Sequence, residues 1–359
     1  MRATTARLTA VSLGLALTLA TTIACGPAAA KSVYLISRTD TSPTPVAAYD
    51  LLPAPAHLAL QYQTSMPRVG TAATVLAIDA TTNRLLIANS GTPQLQVMDP
   101  TTLRAVGTVT ATGMTEIAAL VIDGPGRVYA LESDTNRLFV YAWDPRTPAL
   151  TLEGGGPRSL QDVALGRALA LDAERGRLYV GDRSSLLVRY YDTGTFALAG
   201  SVDLTPTGQT VTTLAVDAAR NRIYAGNGDP ATGSLSRVVM FDIGASTGVF
   251  RELPAPTAGD HVVSMAFDSD RAQLYLTTRN SDTLLAMDGQ LSSVLKGDLG
   301  DLGEPGPVAI ANGPIGYNLM NFTLVQDAGR PAPGSSLTYV LCYRNEFEAA
   351  VANAQIALT

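Results

Sequence analysis

The sequence predicts an all-β fold, a six-bladed β-propeller whose closing blade is split between the two ends of the repeat region. Three observations support this prediction. Two strand signatures recur five times along the chain, at intervals of 44 to 51 residues. Fragments at either end of the repeat region complete each other. After residue 316 the period is lost, which indicates a second, different segment.

The first signature is an apolar strand that ends in Asp, followed by a tight turn and a second strand, as in "LAIDATTNRLLIAN" at residues 76–89. The second signature is a further apolar strand that also ends in Asp. About four short strands in a period of this length are typical of a propeller blade. The first-signature aspartates are Asp79, Asp123, Asp172, Asp217 and Asp268, and the second-signature aspartates are Asp99, Asp144, Asp192, Asp242 and Asp288.

The two ends of the repeat region predict the sixth blade. Near the N-terminus "KSVYLISR" matches a second strand but has no first strand before it, whereas "GPVAIANG" at residues 306–313 matches a first strand with nothing after it. We therefore expect the inner strand of this blade to come from the C-terminal side and its other three strands from residues 32–66. Such a split blade closes the ring and leaves no open sheet edge at the seam.

The pattern "AxD…NRLYVAN…VxVxD" over residues 32–316 resembles the YVTN and NHL repeat families, which form propellers in bacterial secreted and surface proteins. The resemblance implies a structural role for the repeated aspartates and for the Asn-Arg or Gly-Arg turns. An Asp side chain at a turn can accept backbone N–H hydrogen bonds, which is consistent with that role.

The first 30 residues have the plan of a secretory signal peptide: two arginines, an apolar run over about residues 8–19, and small residues before Ala30. The apolar run is shorter than a membrane span requires. An alternative is that "TIAC" resembles a lipoprotein box and that Cys25 becomes a lipid-modified N-terminus. Either alternative predicts a secreted, periplasmic or surface-exposed protein.

Charge excludes one class of partner. Removal of residues 1–30 leaves 23 basic and 31 acidic side chains, a net charge of −8. A protein that follows a nucleic-acid backbone needs the opposite sign. We therefore expect a monomeric protein that binds a surface protein, a peptide or a glycan, rather than nucleic acid.

The tail, residues 317–359, follows a different pattern. "PGSSLTYVLCYRN…AAVANAQIAL" resembles the opening of the conserved repeat, an immunoglobulin-like domain of unknown function in bacterial cell-surface proteins. That family continues for several strands beyond the point where this chain ends, and a sandwich needs about seven strands. We expect a truncated domain, with any C-terminal surface anchor in the missing part.

The sequence assigns no catalytic residue, because it lacks zinc-type His and Cys spacing, an EF-hand loop and a phosphate-binding glycine loop. No cofactor is expected. One candidate binding site follows from the repeat register: the residues seven positions before the first-strand aspartates, or before Ala311, which takes the Asp place in blade 6, should lie at one mouth of the central channel. In three blades this position is ionisable, at Glu116, His261 and Glu304.

Two functions remain open at this point. The first is a non-enzymatic binding scaffold at the cell surface, with the tail as a spacer. The second is a propeller hydrolase or lyase, resembling lactonases, with His261 as base and a cation held by carboxylates at the mouth. A deep, acid-lined pocket containing Glu116, His261 and Glu304 would favour the enzyme, and a plugged or apolar channel would favour the scaffold.

Overall fold

The computed structural model describes a large part of the chain. It divides into two compact units, Ala30–Gly313 and a terminal unit formed by Met1–Ala29 with Pro314–Thr359. The described residues are 6–7, 31–37, 44–51, 58–66, 73–79, 81–100, 102–124, 126–204, 210–227, 237–244, 248–253, 262–279, 281, 283–299, 304–311, 323–326 and 339–342.

These residues form 28 strands. The first half of the chain contains β1 (Ala6–Arg7), β2 (Lys31–Ser37), β3 (Thr44–Leu51), β4 (Leu58–Met66), β5 (Ala73–Asp79), β6 (Arg84–Asn89), β7 (Gln94–Asp99), β8 (Arg104–Thr110), β9 (Ile117–Asp123), β10 (Arg127–Glu132), β11 (Arg137–Asp144), β12 (Ala149–Leu152), β13 (Arg158–Ser159) and β14 (Gly166–Asp172). The second half contains β15 (Arg177–Asp182), β16 (Leu187–Asp192), β17 (Leu198–Asp203), β18 (Val211–Asp217), β19 (Arg222–Asn227), β20 (Arg237–Asp242), β21 (Val249–Glu252), β22 (Val262–Asp268), β23 (Gln273–Thr278), β24 (Thr283–Asp288), β25 (Val294–Asp298), β26 (Pro305–Ile310), β27 (Thr323–Gln326) and β28 (Tyr339–Cys342).

The larger unit consists of six antiparallel sheets, here called blades 1 to 6. Blades 1 to 5 follow the chain and begin at β5, β9, β14, β18 and β22, and blade 6 has the order β26-β2-β3-β4. The first strand of each blade contacts the first strand of the next, and β26 contacts β5, so the first strands form a closed inner circle. The predicted all-β ring of six sheets is therefore confirmed.

The split of the closing blade is also confirmed. Strand β26, from the C-terminal side, pairs antiparallel with β2, with Val33 opposite Ile310 and Leu35 opposite Val308. The hydroxyl of Thr277 in blade 5 donates to the carbonyl of Gly306 at 2.7 Å, which fixes the closing strand to the preceding blade.

Blade 2 differs from the four-stranded prediction. Its outer strand β12 is only four residues long and covers the Tyr141–Asp144 half of β11. The remaining half of that edge pairs instead with β13, where Arg137 lies opposite Ser159. The long β11 thus obtains its outer hydrogen bonds from two short strands.

Apolar side chains hold the blades together face to face. Between blades 1 and 2, for example, Leu86, Val97, Phe139 and Tyr141 are fully buried in one cluster. A buried hydrogen bond crosses the same interface, from Trp143 Nε1 to Asp79 Oδ2 at 3.0 Å. Similar clusters join blades 2 to 3, 3 to 4, 4 to 5 and 5 to 6.

Most of the repeated aspartates cap turns, as the sequence predicts, whereas Asp123 accepts a hydrogen bond from the Tyr129 hydroxyl. Asp217 accepts the backbone N–H of Arg220 at 3.2 Å and the guanidinium of the same residue at 2.8 Å. Asp192, a second-signature residue, accepts the backbone N–H of Thr195 at 2.7 Å. These carboxylates satisfy backbone donors where the chain reverses.

The turn between the first and second strands explains the Asn-Arg and Gly-Arg pairs. The residue before the arginine has positive φ in each case: 57° at Asn83, 51° at Asn221, 112° at Gly126 and 59° at Gly176. Gly and Asn adopt this left-handed conformation more readily than other residues. In blade 5 the position is held by Ala272, also at φ 51°.

In the terminal unit, β1, β28 and β27 form a three-stranded sheet in that order. Strand β28 contains residues of the predicted conserved-repeat segment, and β1 lies within the predicted signal peptide. The immunoglobulin-like assignment and the signal peptide stay predictions. In the described part of the chain there is no helix with the length and apolar character of a membrane span.

Ala272 provides a test of the turn analysis. Ala272→Asn should raise the free energy of unfolding by about 1 kcal/mol, because Asn tolerates the left-handed conformation better than Ala. Gly176→Ala should lower it by a similar amount. Urea denaturation of both variants measures the two changes, and a loss of stability in Ala272→Asn would show that the turn is not strained.

Candidate functional site

The candidate site is the central channel of the larger unit, a cavity of about 320 Å³ lined by the first strands of all six blades. Each first strand stands at the edge of its sheet and pairs on one side only. Its other backbone edge therefore faces the channel with N–H and C=O groups that make no ladder hydrogen bonds.

The side chains that line the channel are mostly aliphatic. Leu171 and Val216 are half-buried examples from neighbouring blades. Among the described lining residues, Arg167 is the only charged one. The polar lining residues besides it are Thr74, Thr212, Thr213 and Ser264.

A β-bulge recurs near the start of these first strands. The register of β5 against β6 shifts between Ala73 and Val75, which leaves Thr74 as the extra residue. The extra residues in blades 2 to 5 are Ala118, Arg167, Thr212 and Val263, and all five line the channel. Bulges change the direction of a side chain relative to the regular strand.

Two bulge threonines connect neighbouring blades. The hydroxyl of Thr212 lies 3.2 Å from the carbonyl oxygen of Gly226 in its own blade and 3.2 Å from that of Val262 in the next. Thr74 has the same arrangement with Ala88 and Ile117, at 3.5 and 3.4 Å. In these two blades the bulge residue is therefore part of the ring's own hydrogen bonding.

We call the end of the channel at which the first strands begin the mouth. Here Glu116, directly before β9, accepts a hydrogen bond from the Ser90 hydroxyl at Oε1, at 2.8 Å. Its backbone carbonyl accepts the N–H of Ser133 at 3.1 Å, and the Ser133 hydroxyl accepts from Arg167 Nη1 at 3.4 Å. A continuous line of hydrogen bonds thus crosses blades 1, 2 and 3 at the mouth.

Glu304 directly precedes β26, the corresponding place in blade 6, and is exposed. Its backbone carbonyl accepts a hydrogen bond from the Ser37 hydroxyl at 3.4 Å. Both glutamates therefore occupy the register position that the sequence predicts, but Glu116 is engaged by Ser90. His261 and the alternative lipidation residue Cys25 lie outside the described residues, so the predicted grouping stays a prediction.

Buried carboxylates near the mouth have a structural role that the sequence does not indicate. Asp182, at the end of β15, accepts the backbone N–H groups of Ala164, Leu165 and Ser184 at 3.1, 3.2 and 2.8 Å, and the Ser184 hydroxyl at 2.7 Å. Burial raises the pKa of this carboxyl, but the four hydrogen bonds outweigh burial and the pKa is lowered. Asp182 thereby fixes the loop that enters blade 3.

Glu132 has the equivalent place in blade 2. It accepts the N–H of Thr115 at 2.9 Å and forms an ion pair with Arg137 at 2.7 Å. The residues that the structure describes include no group of three or more His, Cys, Asp or Glu side chains placed to hold a metal ion.

Sequence reasoning missed Arg167. The same kind of register count, made five instead of seven positions before the first-strand aspartates, would have selected it. The residues at this position are Thr74, Ala118, Arg167, Thr212 and Val263. One cation in a set of small and β-branched residues departs from the pattern. Its position on the channel wall follows only from the bulge, which the sequence does not reveal.

Comparisons with known proteins define the class. No family model and no curated protein matches the chain. A chain of the crystal structure of a nidogen/laminin complex is similar with a TM-score of 0.58 and 13% sequence identity, over 78% of this chain and 98% of that one. A chain of the mitotic checkpoint complex has a TM-score of 0.45 and 14% identity, over 68% of this chain and 70% of that one.

The first of these similarities and the closed ring of six sheets define the larger unit as a β-propeller. At 13% identity the similarity concerns the fold alone. Altogether 1106 chains of solved structures match. Because so widespread a fold serves many functions, the function has to be argued from the site.

Asp182 gives a pH-dependent prediction. Asp182→Asn should lower the free energy of unfolding at pH 7 by about 1–3 kcal/mol, because buried N–H donors lose a charged acceptor. The wild-type carboxyl has a pKa below its ordinary value of 3.8, so its contribution is complete above that value and is lost as the pH falls through the folded-state pKa. The difference between wild type and variant should therefore shrink toward about pH 3.

Urea denaturation across this pH range measures the difference. Asp134→Asn is the matched control, since Asp134 is half exposed and its ion pair with Arg183 spans 3.8 Å. A difference between wild type and Asp182→Asn that stays constant from pH 7 to acid would contradict the assignment.

Proposed function

We propose that this chain is an exported bacterial β-propeller of the YVTN or NHL type that acts as a non-enzymatic binding scaffold at the cell surface. Three sequence features support the location: the signal-like segment 1–30, the resemblance of the repeats to these families, and the surface-repeat resemblance of residues 317–359. The propeller fold supports the binding role, since it is a rigid ring that presents loops on two faces.

The observation that carries the proposal is the internal engagement of polar side chains around the mouth. Glu116 bonds Ser90, Glu132 bonds Thr115, and Asp182 bonds the loop before β14. These bonds fix the shape of the described loops that enter blades 2 and 3 before any partner arrives. A preorganised surface loses little conformational entropy on binding, which favours recognition of a partner.

The mouth face also offers a suitable contact surface. Leu165, at the rim in blade 3, is 37% exposed. The ion pair between Asp134 and Arg183 and the exposed Glu304 lie on the same face. An apolar centre surrounded by a polar and charged rim is the usual arrangement of a protein interface.

Leu165 therefore tests the proposal. Leu165→Asp should weaken binding of the purified, labelled chain to cells of the producing bacterium by about tenfold, because it places a charge in the apolar part of the contact. Val106→Asp is the matched control: Val106 is 41% exposed but lies on the outer strand β8, away from the mouth. Saturation binding followed by flow cytometry gives both affinities.

Two results would contradict the scaffold proposal. One is the absence of saturable binding by the wild-type chain. The other is equal binding by wild type and Leu165→Asp, which would remove the mouth face as the contact surface.

Divalent-cation calorimetry separates the scaffold from the cation-dependent hydrolase or lyase. A scaffold should give the same heats of calcium and zinc titration in wild type and in His261→Ala. A stoichiometric cation that is lost in His261→Ala would contradict the scaffold and support the enzyme.

A further inference from the structure

Arg167 has an unusual place in the ring. It is the extra residue of the β14 bulge, is half buried, and lines the channel together with the bulge residues of blades 1, 2, 4 and 5. The two bulge threonines use their hydroxyls to join neighbouring blades. Arg167 lines the cavity instead, and the chemistry of its side chain differs from that of every other described lining residue.

The guanidinium makes little use of its hydrogen-bonding capacity within the protein. Of its five N–H donors, one donates to Ser133 Oγ, at the long distance of 3.4 Å. It forms no ion pair with any described residue. Removing a cation from water without a counter-charge is costly, so a partly buried guanidinium of this kind favours an anion beside it.

None of the described carboxylates near the mouth is paired with the Arg167 guanidinium. Glu116, on the neighbouring blade, is engaged by Ser90, Asp182 accepts backbone N–H groups of its own loop, and Glu304 is exposed at the rim in blade 6. The negative charges of these carboxylates repel a dianion more strongly than a monoanion. They therefore favour a singly charged ligand.

The size and the lining of the rest of the channel indicate how large such a ligand is and what its uncharged part contacts. Beyond Arg167 the first strands continue with half-buried aliphatic side chains on several blades, and the volume of about 320 Å³ is at the lower end of the range for small-molecule sites. The aliphatic residues concerned are Val75, Ile78, Val121, Ile122, Leu171 and Val216.

We propose that the channel is a binding site for a small organic monocarboxylate, whose carboxylate pairs with Arg167 and whose short chain lies between the half-buried aliphatic side chains and the unpaired backbone edges of the first strands. A carboxylate matches the planar fork of a guanidinium and can accept two parallel hydrogen bonds from it. This site lies inside the ring and does not depend on the surface partner proposed above.

Titration calorimetry of the purified full chain with hexanoate tests this proposal, with hexanol as the neutral probe of similar length. Hexanoate should bind with a stoichiometry of one and a Kd on the order of 1 mM or tighter, and hexanol should bind at least about tenfold more weakly. Arg167→Gln should weaken hexanoate binding by about tenfold or more, because it removes the charge but keeps a polar side chain.

Arg183→Gln is the matched control. Arg183 belongs to the same blade, but it is exposed and paired with Asp134, so its removal should leave the affinity for hexanoate unchanged. Arg167→Lys keeps the charge without the planar fork, and its affinity should fall between those of wild type and Arg167→Gln. Thermal melting of each variant shows whether it is folded.

The proposal is overturned if hexanoate fails to bind the wild-type chain, if hexanol binds as tightly, or if Arg167→Gln retains wild-type affinity. It is also overturned if Arg183→Gln loses as much affinity as Arg167→Gln, since the effect would then be one of general surface charge. Because the assay contains no cells, its outcome is separate from that of the surface-binding experiment.

Discussion

The pairing of β26 with β2 is the interaction on which the rest of the molecule depends. It joins residues from the two ends of the repeat region, Val33 with Ile310 and Leu35 with Val308, and so closes a loop that spans the entire ring. Closing a loop of that length costs about 5 kcal/mol of chain entropy. Burial of two aliphatic side chains such as Val308 and Ile310 contributes about 3–6 kcal/mol, which is comparable to that cost before the backbone hydrogen bonds are counted.

Closure also creates the site. Once the ring is complete, all six first strands turn their unpaired backbone edges toward one cavity, and the bulge at the start of each of blades 1 to 5 brings one side chain to its wall. At two of these positions a threonine joins adjacent blades, and at one an arginine faces the channel with a single long hydrogen bond. The same β-bulge thus links neighbouring blades by hydrogen bonds in blades 1 and 4 and places a charged side chain at the channel in blade 3. The two faces of the ring also differ. At one face aspartates cap the strand turns, whereas at the mouth hydrogen bonds hold the described loop that enters blade 3 and Leu165 is exposed.

Periodicity explains why so much of the fold could be predicted from the sequence. Four of the five aspartates that end the first strands cap the same turn, and Asn83 and Gly176 share a register position because the backbone there is left-handed. The split blade follows from the same register. The site was predicted less completely. Glu116 and Glu304 do precede first strands at the mouth, yet the partners of the polar residues there come from neighbouring blades: Ser90 for Glu116 and Ser133 for Arg167. Such contacts depend on how adjacent sheets stack and on which strand carries a bulge, and neither is encoded in the repeat pattern of a single blade.

Native-state amide hydrogen exchange tests ring closure most directly. Ala311, directly after β26, donates its N–H to the carbonyl of Ser32 in β2, and Ala309, which lies opposite Tyr34, presents its N–H to the same side. If the closing strand holds the ring together, the amides of Ala309 and Ala311 should exchange only through global unfolding. Their opening free energy should then equal that of Leu178 and Val180 at the centre of blade 3. Faster exchange of these two amides, with blade 3 still fully protected, would show that the ring persists without its seam and would contradict the dependence of the fold on this pairing.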